Sequence, residues 1–283
     1  MNRNSVGILY IVATPIGNLL DMSLRALETL KNVDAIVAED TRHSQSLLQH
    51  FAIKTPLEAF HEHNERQQSH QLLQRLHQGE SIALISDAGT PLISDPGYYL
   101  VREAILAGIK VVPLPGACAA VAALSAAGLA TDRFIFEGFL PAKAGQREHR
   151  LQELKDESRT LIFYEAPHRV LDLLQAMLSV FGGERRVVMA RELTKLFETI
   201  KSAPLAELVP WVAADANQQR GEIVILVEGL KEVSSSAQME MKRILTVLMV
   251  DLPLKQAAEL TAKITGLKKN DVYALALELK KQV

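Results

Sequence analysis

Residues with the means to do chemistry gather in four short strings, each directly behind an apolar run. Thr14-Pro15-Ile16-Gly17-Asn18 follows Gly7–Val12, and Glu39-Asp40-Thr41-Arg42 follows Ala35–Ala38. Ser86-Asp87-Ala88-Gly89-Thr90-Pro91-Leu92-Ile93-Ser94-Asp95-Pro96-Gly97 follows Ser81–Ile85, and Pro113-Leu114-Pro115-Gly116-Ala117-Cys118 closes the run from Lys110. Two glycines and two prolines in the third string fix a tight backbone path and let main-chain groups approach a ligand with no Cβ in the way. A rigid turn with no ligand is the competing reading of that string. Glu39, Asp40 and Arg42 read equally as site residues or as an ordinary strand-end ion cluster. No G-x-G-x-x-G follows the first run and no G-x-x-x-x-G-K-[ST] occurs, so neither a dinucleotide fingerprint nor a phosphate loop is expected.

The elements that must position these strings alternate strand and helix. Ser23 is placed to cap a helix carrying Leu24, Leu27 and Leu30. A polar helix over Gln67–Gln78 precedes the third strand, and a helix over Tyr98–Ala107 precedes the fourth. Runs apolar on both faces, alternating with helices, imply a parallel sheet covered on both sides. In such a sheet ligands bind outside the carboxyl ends of the strands, so all four strings are expected at one cleft. An alanine-rich helix, Ala117–Ala127, ends at Gly128. Strands are then expected at Phe134–Phe139, Thr160–Tyr164, Val187–Ala190 and Gly221–Val227, with Phe197–Ile200 free to pair antiparallel and a helix over Arg169–Leu178. The division follows: an N-terminal parallel α/β domain over 1–117, a second α/β domain with a mixed sheet over 118–230, a linker at Lys231–Ala237, and a helical domain over 238–283 with its turn at Gly266.

Composition narrows the function. The 283 residues carry a formal charge of −2, with 48% hydrophobic and 23% charged residues, the balance of a soluble globular chain and not of a protein that coats a duplex. From Ala237 onward eight lysines and arginines face five acids, a net +3, which makes the tail either a nucleic-acid contact or a solvated helical cap. Lys143, Arg147, His149, Arg150 and Lys155 are interleaved with Glu148, Glu153, Asp156 and Glu157, a solvated helix or a phosphate track. The longest apolar stretch, Ala104–Ala130, contains Lys110, Pro113 and Pro115, and a membrane helix needs about 20 unbroken apolar residues, so no membrane partner is expected. The first thirteen residues lack a cleavable signal pattern, and Cys118 is the single cysteine, so a reducing cytoplasmic setting is expected. His61-Glu62-His63-Asn64-Glu65 lacks the H-E-x-x-H spacing of zinc enzymes; a polar rim or plain surface is expected there, and no metal.

Ala13–Leu19, Ala38–Arg42, Asp87–Pro91 with Ile93–Gly97, Phe163–Arg169, Ala190–Lys195 and Arg220–Glu222 resemble, in order, the motifs of the ribosomal RNA small subunit methyltransferase I family. The resemblance spans about Leu9 to Gly229 and rests on several long, unusual strings. It departs at Ala117, where the family often has proline, a change in loop stiffness. The resemblance implies two α/β domains of the tetrapyrrole methylase type with a central cleft, plus the small C-terminal helical domain. It implies S-adenosylmethionine as methyl donor and transfer to the 2′-hydroxyl of a cytidine in small-subunit 16S ribosomal RNA, free or in the assembled subunit, by a homodimer. Carried over residue by residue, it places Pro15, Ser86, Asp87, Ala88, Gly89, Thr90, Pro91, Ala117, Cys118, Ala119, Tyr164, Ala190 and Gly221 at the donor. A tetrapyrrole or diphthamide-pathway methyltransferase is the rival on the same fold; a non-catalytic S-adenosylmethionine sensor that binds DNA through the tail is the rival of another class.

Transfer from a sulfonium is an in-line displacement that needs alignment and removal of the acceptor's proton. Asp40, Glu165 and Lys195 are the candidate bases, with His168 beside them. Arg42, Arg169 and Arg191, with His168, are the candidate substrate-holding residues, the arginines for their bidentate fork. Asp40 and Glu165 read equally as ion-pair partners of a nearby arginine. Replaced by alanine, the true base is expected to lose turnover roughly 10²–10⁴-fold while donor affinity holds; equal losses in steady-state turnover and equilibrium donor binding remove a residue from candidacy.

Overall fold

The computed structural model describes residues 6–61, 64–230, 235–266 and 269–281. Contacts divide the chain into two compact units, one running through Lys155 and resuming over Arg159–Glu228, the other made of residues 156–158 and those from Gly229 onward.

The larger unit holds two five-stranded sheets. In the first, β1 (Ile8–Val12), β2 (Ala35–Ala38), β3 (Leu57–Ala59), β4 (Ile82–Ile85) and β5 (Lys110–Leu114) lie in the order β3-β2-β4-β1-β5, and every pairing is parallel. Helices α1 (Leu24–Asn32), α2 (Thr41–His50), α3 (Glu65–His77) and α4 (Tyr98–Leu106) join them. Side chains alternate between faces along a strand, and the cores follow suit. Val12, Ile36, Ala38, Ala83 and Ile85 pack with Leu30 of α1 and Leu48 of α2, while Leu9, Val37, Ile82 and Leu84 pack with Leu72 of α3 and Leu100 of α4. Both faces are dry, as the unbroken apolar runs require.

Ser23 caps α1 as expected, its side chain accepting from Ala26 N at 3.1 Å. The buried face of that helix is Ala26 and Leu30, however, and Leu24 is exposed. Helix α2 and strand β3 lie where no element was expected. The only buried residues of α2 are Ser44 and Leu48, too few for an apolar stripe, and its start is set by Asp40, whose carboxylate accepts from Arg42 N at 2.8 Å.

Helix α5 (Ala119–Ala126) leads to the second sheet: β6 (Phe134–Phe139), β7 (Thr160–Glu165), β8 (Arg186–Arg191), β9 (Thr199–Pro204) and β10 (Ile223–Val227), in the order β6-β7-β10-β8-β9. β6 and β7 pair in parallel and the other pairings are antiparallel, the mixed sheet the sequence predicts. The strand expected at Phe197–Ile200 begins two residues later and runs to Pro204, at the sheet edge where proline needs no ladder partner. Helices α6 (Ala144–Glu153), α7 (Val170–Phe181) and α8 (Leu205–Ala214) cover one face, packed on Leu161, Phe163, Val187, Met189, Ile223 and Ile225. The other face, Ile162, Val188, Ala190, Val224 and Leu226, packs on Ala120, Ala123 and Leu124 of α5 and continues into the site.

The smaller unit contains α9 (Ser235–Asp251), α10 (Leu254–Thr265) and α11 (Lys269–Lys281), packed around Met241, Leu245, Ala258, Val272 and Ala276. Gly266 ends α10 in the left-handed region at φ +69°. Much of the expected linker, at 231–234, lies outside the described residues. Among the described residues no helix is long and apolar enough to cross a membrane.

Phe163 is fully buried on the helix-covered face of β7, whereas Tyr164 points the other way. Phe163→Ala is expected to lower stability by about 3–5 kcal/mol in urea unfolding while leaving ligand affinity at the opposite face unchanged.

Candidate active site

Four loops leave the carboxyl edge of the first sheet, and hydrogen bonds tie them together. Thr14, after β1, exchanges both main-chain bonds with Gly89, after β4: Thr14 N donates to Gly89 O at 2.9 Å and Gly89 N to Thr14 O at 3.1 Å. The buried Thr14 hydroxyl donates to Ser86 O at 3.0 Å, and the Ser86 hydroxyl donates to Gly89 O at 2.8 Å. The Thr90 hydroxyl reaches Ala117 O, after β5, at 2.9 Å. The loop after β2 joins through Asp40 N, which donates to Asp87 Oδ1 at 3.1 Å. The expected convergence is therefore present. Because the Ala117 contact is made by its carbonyl, the absent proline does not remove it.

These loops form one wall of a cavity of about 400 Å³, a ligand-sized space. Asp87, Ala88, Gly89, Thr90, Cys118, Ala119, Tyr164, Ala190 and Gly221 line it, all of them expected from the sequence. Ser86 and Pro91 lie behind the loop in a small cleft, Ala117 supplies the carbonyl just described, and Pro15 lines a second cavity. Ile16, Ile93, Ser94 and Asp95, within the strings expected at the cleft, and Leu193 and Glu222, within the quoted motifs, also line the first cavity without having been given a role, and sequence reasoning missed Phe139 there. Leu92 and Ser94 carry positive φ of 73° and 68°, uncommon for such residues and typical of loops held for function.

The second sheet supplies the opposite wall. Tyr164 accepts from Ala120 N at 3.1 Å and is packed edge-on by Phe136 and Phe139, at 4.9 and 5.7 Å between ring centroids. Burial and the nearby Cys118 push its phenol above the ordinary tyrosine range, so it stays protonated. Gly221 has φ +80°, and a Cβ there would lie 2.3 Å from Glu192 Oε1. Its bareness lets Glu192 accept from Glu222 N and Lys195 Nζ, each at 2.9 Å.

The titratable residues separate by environment. Asp40 pairs with Arg42 at 3.0 Å, a contact that holds its carboxyl down to about 2; Arg42 is exposed, and neither lines the cavity. Glu165 borders it, but its side chain is fully buried. The residue as a whole is 2% exposed, its Oε1 accepts from Ala166 N at 2.8 Å and lies 3.2 Å from Arg169 Nε, and its buried Oε2 has no partner. Burial pushes its pKa up against the opposing pull of the Ala166 amide and of Arg169 and Arg147. Lys195 lies between Glu192 and Glu222, 2.9 and 3.1 Å away; burial lowers its pKa, but the two carboxylates outweigh that and hold it above the ordinary lysine value.

Arg191 is buried and donates to Phe197 O at 3.0 Å and Thr199 Oγ1 at 3.2 Å, holding the β8–β9 loop. Arg169 donates to Leu140 O at 2.7 Å, and His168 is exposed outside the cavity. In the basic stretch Arg150 bonds Glu137 of β6 and Glu153 of its own helix, and Arg147 is buried. Glu62 and His63 lie outside the described residues.

Two lobes of this design, a parallel sheet and a mixed sheet flanking a cavity built from strand-end loops, are an α/β methylase arrangement: residues 8–209 match the family described as Tetrapyrrole (Corrin/Porphyrin) Methylases. Residues 235–280 match the RsmI C-terminal HTH domain. The chain is 62% identical over 276 residues to the Ribosomal RNA small subunit methyltransferase I of Pseudomonas aeruginosa, covering 97% of this chain and 98% of that one, and 57% identical over 275 residues to that of Escherichia coli O157:H7, covering 97% and 96%. It belongs to the ribosomal RNA small subunit methyltransferase I family. Among solved structures, uroporphyrin-III-C-methyltransferase from Thermus thermophilus shares the fold at TM-score 0.56 and 18% identity over 80% of this chain and 96% of that one. Diphthine synthase does so at 0.59 and 14% over 78% and 90%.

Asp95, which lines the cavity, has its carboxyl pushed up to about 6 by burial and by the neighbouring Glu39 and Asp87, against the opposing influence of the Ser86 hydroxyl. The folded chain holds this proton more tightly than an unfolded aspartate of 3.8, so stability is lost as pH rises through about 6. Asp95→Asn is therefore expected to melt above the parent at about pH 7.5 and to lose that advantage near pH 4, as followed by scanning calorimetry.

Proposed function

We propose that this chain transfers a methyl group from S-adenosylmethionine to the 2′-hydroxyl of a cytidine ribose in small-subunit ribosomal RNA. One observation carries the reading: in a chain of this family, four loops tied at the edge of the first sheet face Tyr164, Ala190 and Gly221 across a single cavity. The cavity suits the donor. Its walls are largely apolar with main-chain groups at Ala88–Thr90, and Asp87 and Asp95 supply negative charge for a cationic ligand. When bound, the donor supplies an electrophilic methyl group on a sulfonium.

The chain's own residues do the rest. The loop Asp87–Thr90 and the turn at Cys118–Ala119 hold the ligand, and Tyr164, locked by Ala120 N, packs on it as a neutral ring. Among the candidate bases, Glu165 alone borders this cavity, but its fully buried side chain holds Arg169 and the Ala166 amide, so it positions the end of β7, and the acceptor's proton leaves to solvent. Asp40 acts instead as the cap of α2 and the anchor of Arg42, Lys195 as a fixed cation, and Arg191 as the strut of its loop. The larger unit divides near residue 117 into the lobes of the two sheets, with the helical unit as a third domain. The assembly is a cytoplasmic homodimer acting on ribosomal RNA or the small subunit.

Small subunits lacking the modification, incubated with labelled donor, are expected to accept label at one ribose of a cytidine in their RNA, mapped by nuclease digestion. Glu165→Gln is expected to lower the melting temperature, because it leaves Arg169 without its buried counter-charge, while turnover of the folded protein stays within about tenfold of the parent. Label on a base, or none, overturns the reaction; a loss of about 10²-fold in turnover of folded Glu165→Gln with donor affinity unchanged overturns only the positioning role of Glu165.

A further inference from the structure

A second cavity, also about 400 Å³, adjoins the first. The two share Ile16, Asp87, Ala88 and Glu222 in their linings, so one wall separates a donor chamber from a neighbour of equal size. The far side of the neighbour is one face of α2. His43, Ser46, Leu47 and His50 line it, and at 100° per residue these four positions fall within an arc of about 100°. The helix buries its adjacent face through Ser44 and Leu48, so this polar face is turned to the cavity by the packing of the first sheet. Lys195 closes the chamber on the second-sheet side as a cation held by two carboxylates. Imidazoles, a hydroxyl and an aliphatic side chain together suit the base and sugar of a nucleotide, with hydrogen bonds and an apolar surface for the base, while the ammonium is already met by its two carboxylates.

We propose that this second cavity is the acceptor-nucleotide subsite, in which His43, Ser46 and His50 contact the nucleotide whose ribose meets the donor at the wall formed by Asp87, Ala88 and Glu222. The inference rests on the methyltransferase reading above and adds where the RNA enters. A ribose entering from α2 thus reaches the sulfonium from one side, leaving the donor enclosed by the other loops. His43 and His50 act by binding and positioning, so their loss reads out in substrate affinity before chemistry.

The test compares the parent with His43→Ala/His50→Ala, both as full-length protein, on undermodified small subunits with saturating donor. All three polar residues of the face are exposed, so the fold is expected to survive, and thermal unfolding checks it. The expected result is a KM for subunits raised about tenfold or more, with donor affinity in calorimetry within about twofold of the parent. Cytidine 5′-monophosphate soaked into crystals of the parent with S-adenosylhomocysteine is expected to place its base against α2. An unchanged KM overturns the subsite, as does a loss of donor affinity equal to the loss in KM, which makes the chamber part of the donor site. A parent that methylates no RNA defeats the functional reading itself, whatever the histidine variant does.

Discussion

The site depends on one constraint: strands that run parallel release all their loops on the same edge, and those loops must satisfy their own buried polar groups. The reciprocal main-chain pair between Thr14 and Gly89 meets that demand for the two central strands, β1 and β4. The buried hydroxyls of Thr14 and Ser86 then consume carbonyls that would otherwise face a dry wall. Loss of such a partner strands a buried polar group at a cost of about 1–3 kcal/mol, so the loops hold one another in place and present Asp87–Thr90 as a rigid lip. Gly89 is required there for a backbone at φ +89°, with Ile16 only 3.2 Å from where a Cβ would stand.

The second sheet does two jobs through the twofold alternation of its strands. Along β7, Leu161 and Phe163 enter the helix-covered core while Ile162 and Tyr164 face α5 and the cavity. Stability and ligand contact thus reside on opposite faces of the same residues' backbone. The alternation also explains the electrostatics. Carboxylates at strand ends, such as Glu165, are buried by the sheet that presents them and rise in pKa, whereas Asp40, in the open at the start of a helix, falls to about 2 beside its arginine.

Much of this was legible in the sequence, and the reasons are local. Strands β1, β2, β4 and β5 are short apolar runs ended by Gly, Pro or charged strings, and in a parallel sheet that pattern leads directly to the shared edge. Helices α2 and α8 were not legible. The first buries little apolar surface of its own, and the second carries Pro210 inside it, which reads as a break. The cost was a functional one: with α2 unseen, the spacing of His43, Ser46 and His50 carried no meaning, although it is a helical face once the helix is known. Asp95 was overlooked for a different reason, because its raised pKa arises from Glu39 and Asp87 brought close by separate loops, a proximity no string of residues displays.

The loop between β8 and β9 shows how the two sheets are made to meet. Glu192 and Thr194 adopt positive φ of 52° and 68°, a costly conformation for residues with a Cβ. What holds them is a closed set of bonds: Glu192 takes Lys195 Nζ and Glu222 N, Thr194 N donates to Glu198 at 2.7 Å, and Arg191 fixes Phe197 from beneath. The bent loop brings Lys195 against Gly17 of the β1 loop, where a Cβ would stand 2.5 Å from its chain. Glycine at 17 and at 221 therefore serves one geometry, the close approach of the second sheet's loop to the first sheet's edge. Lys195 held there by two glutamates has its charge met within the loop, so what it adds to the edge of the α2 chamber is a fixed position and not free positive charge.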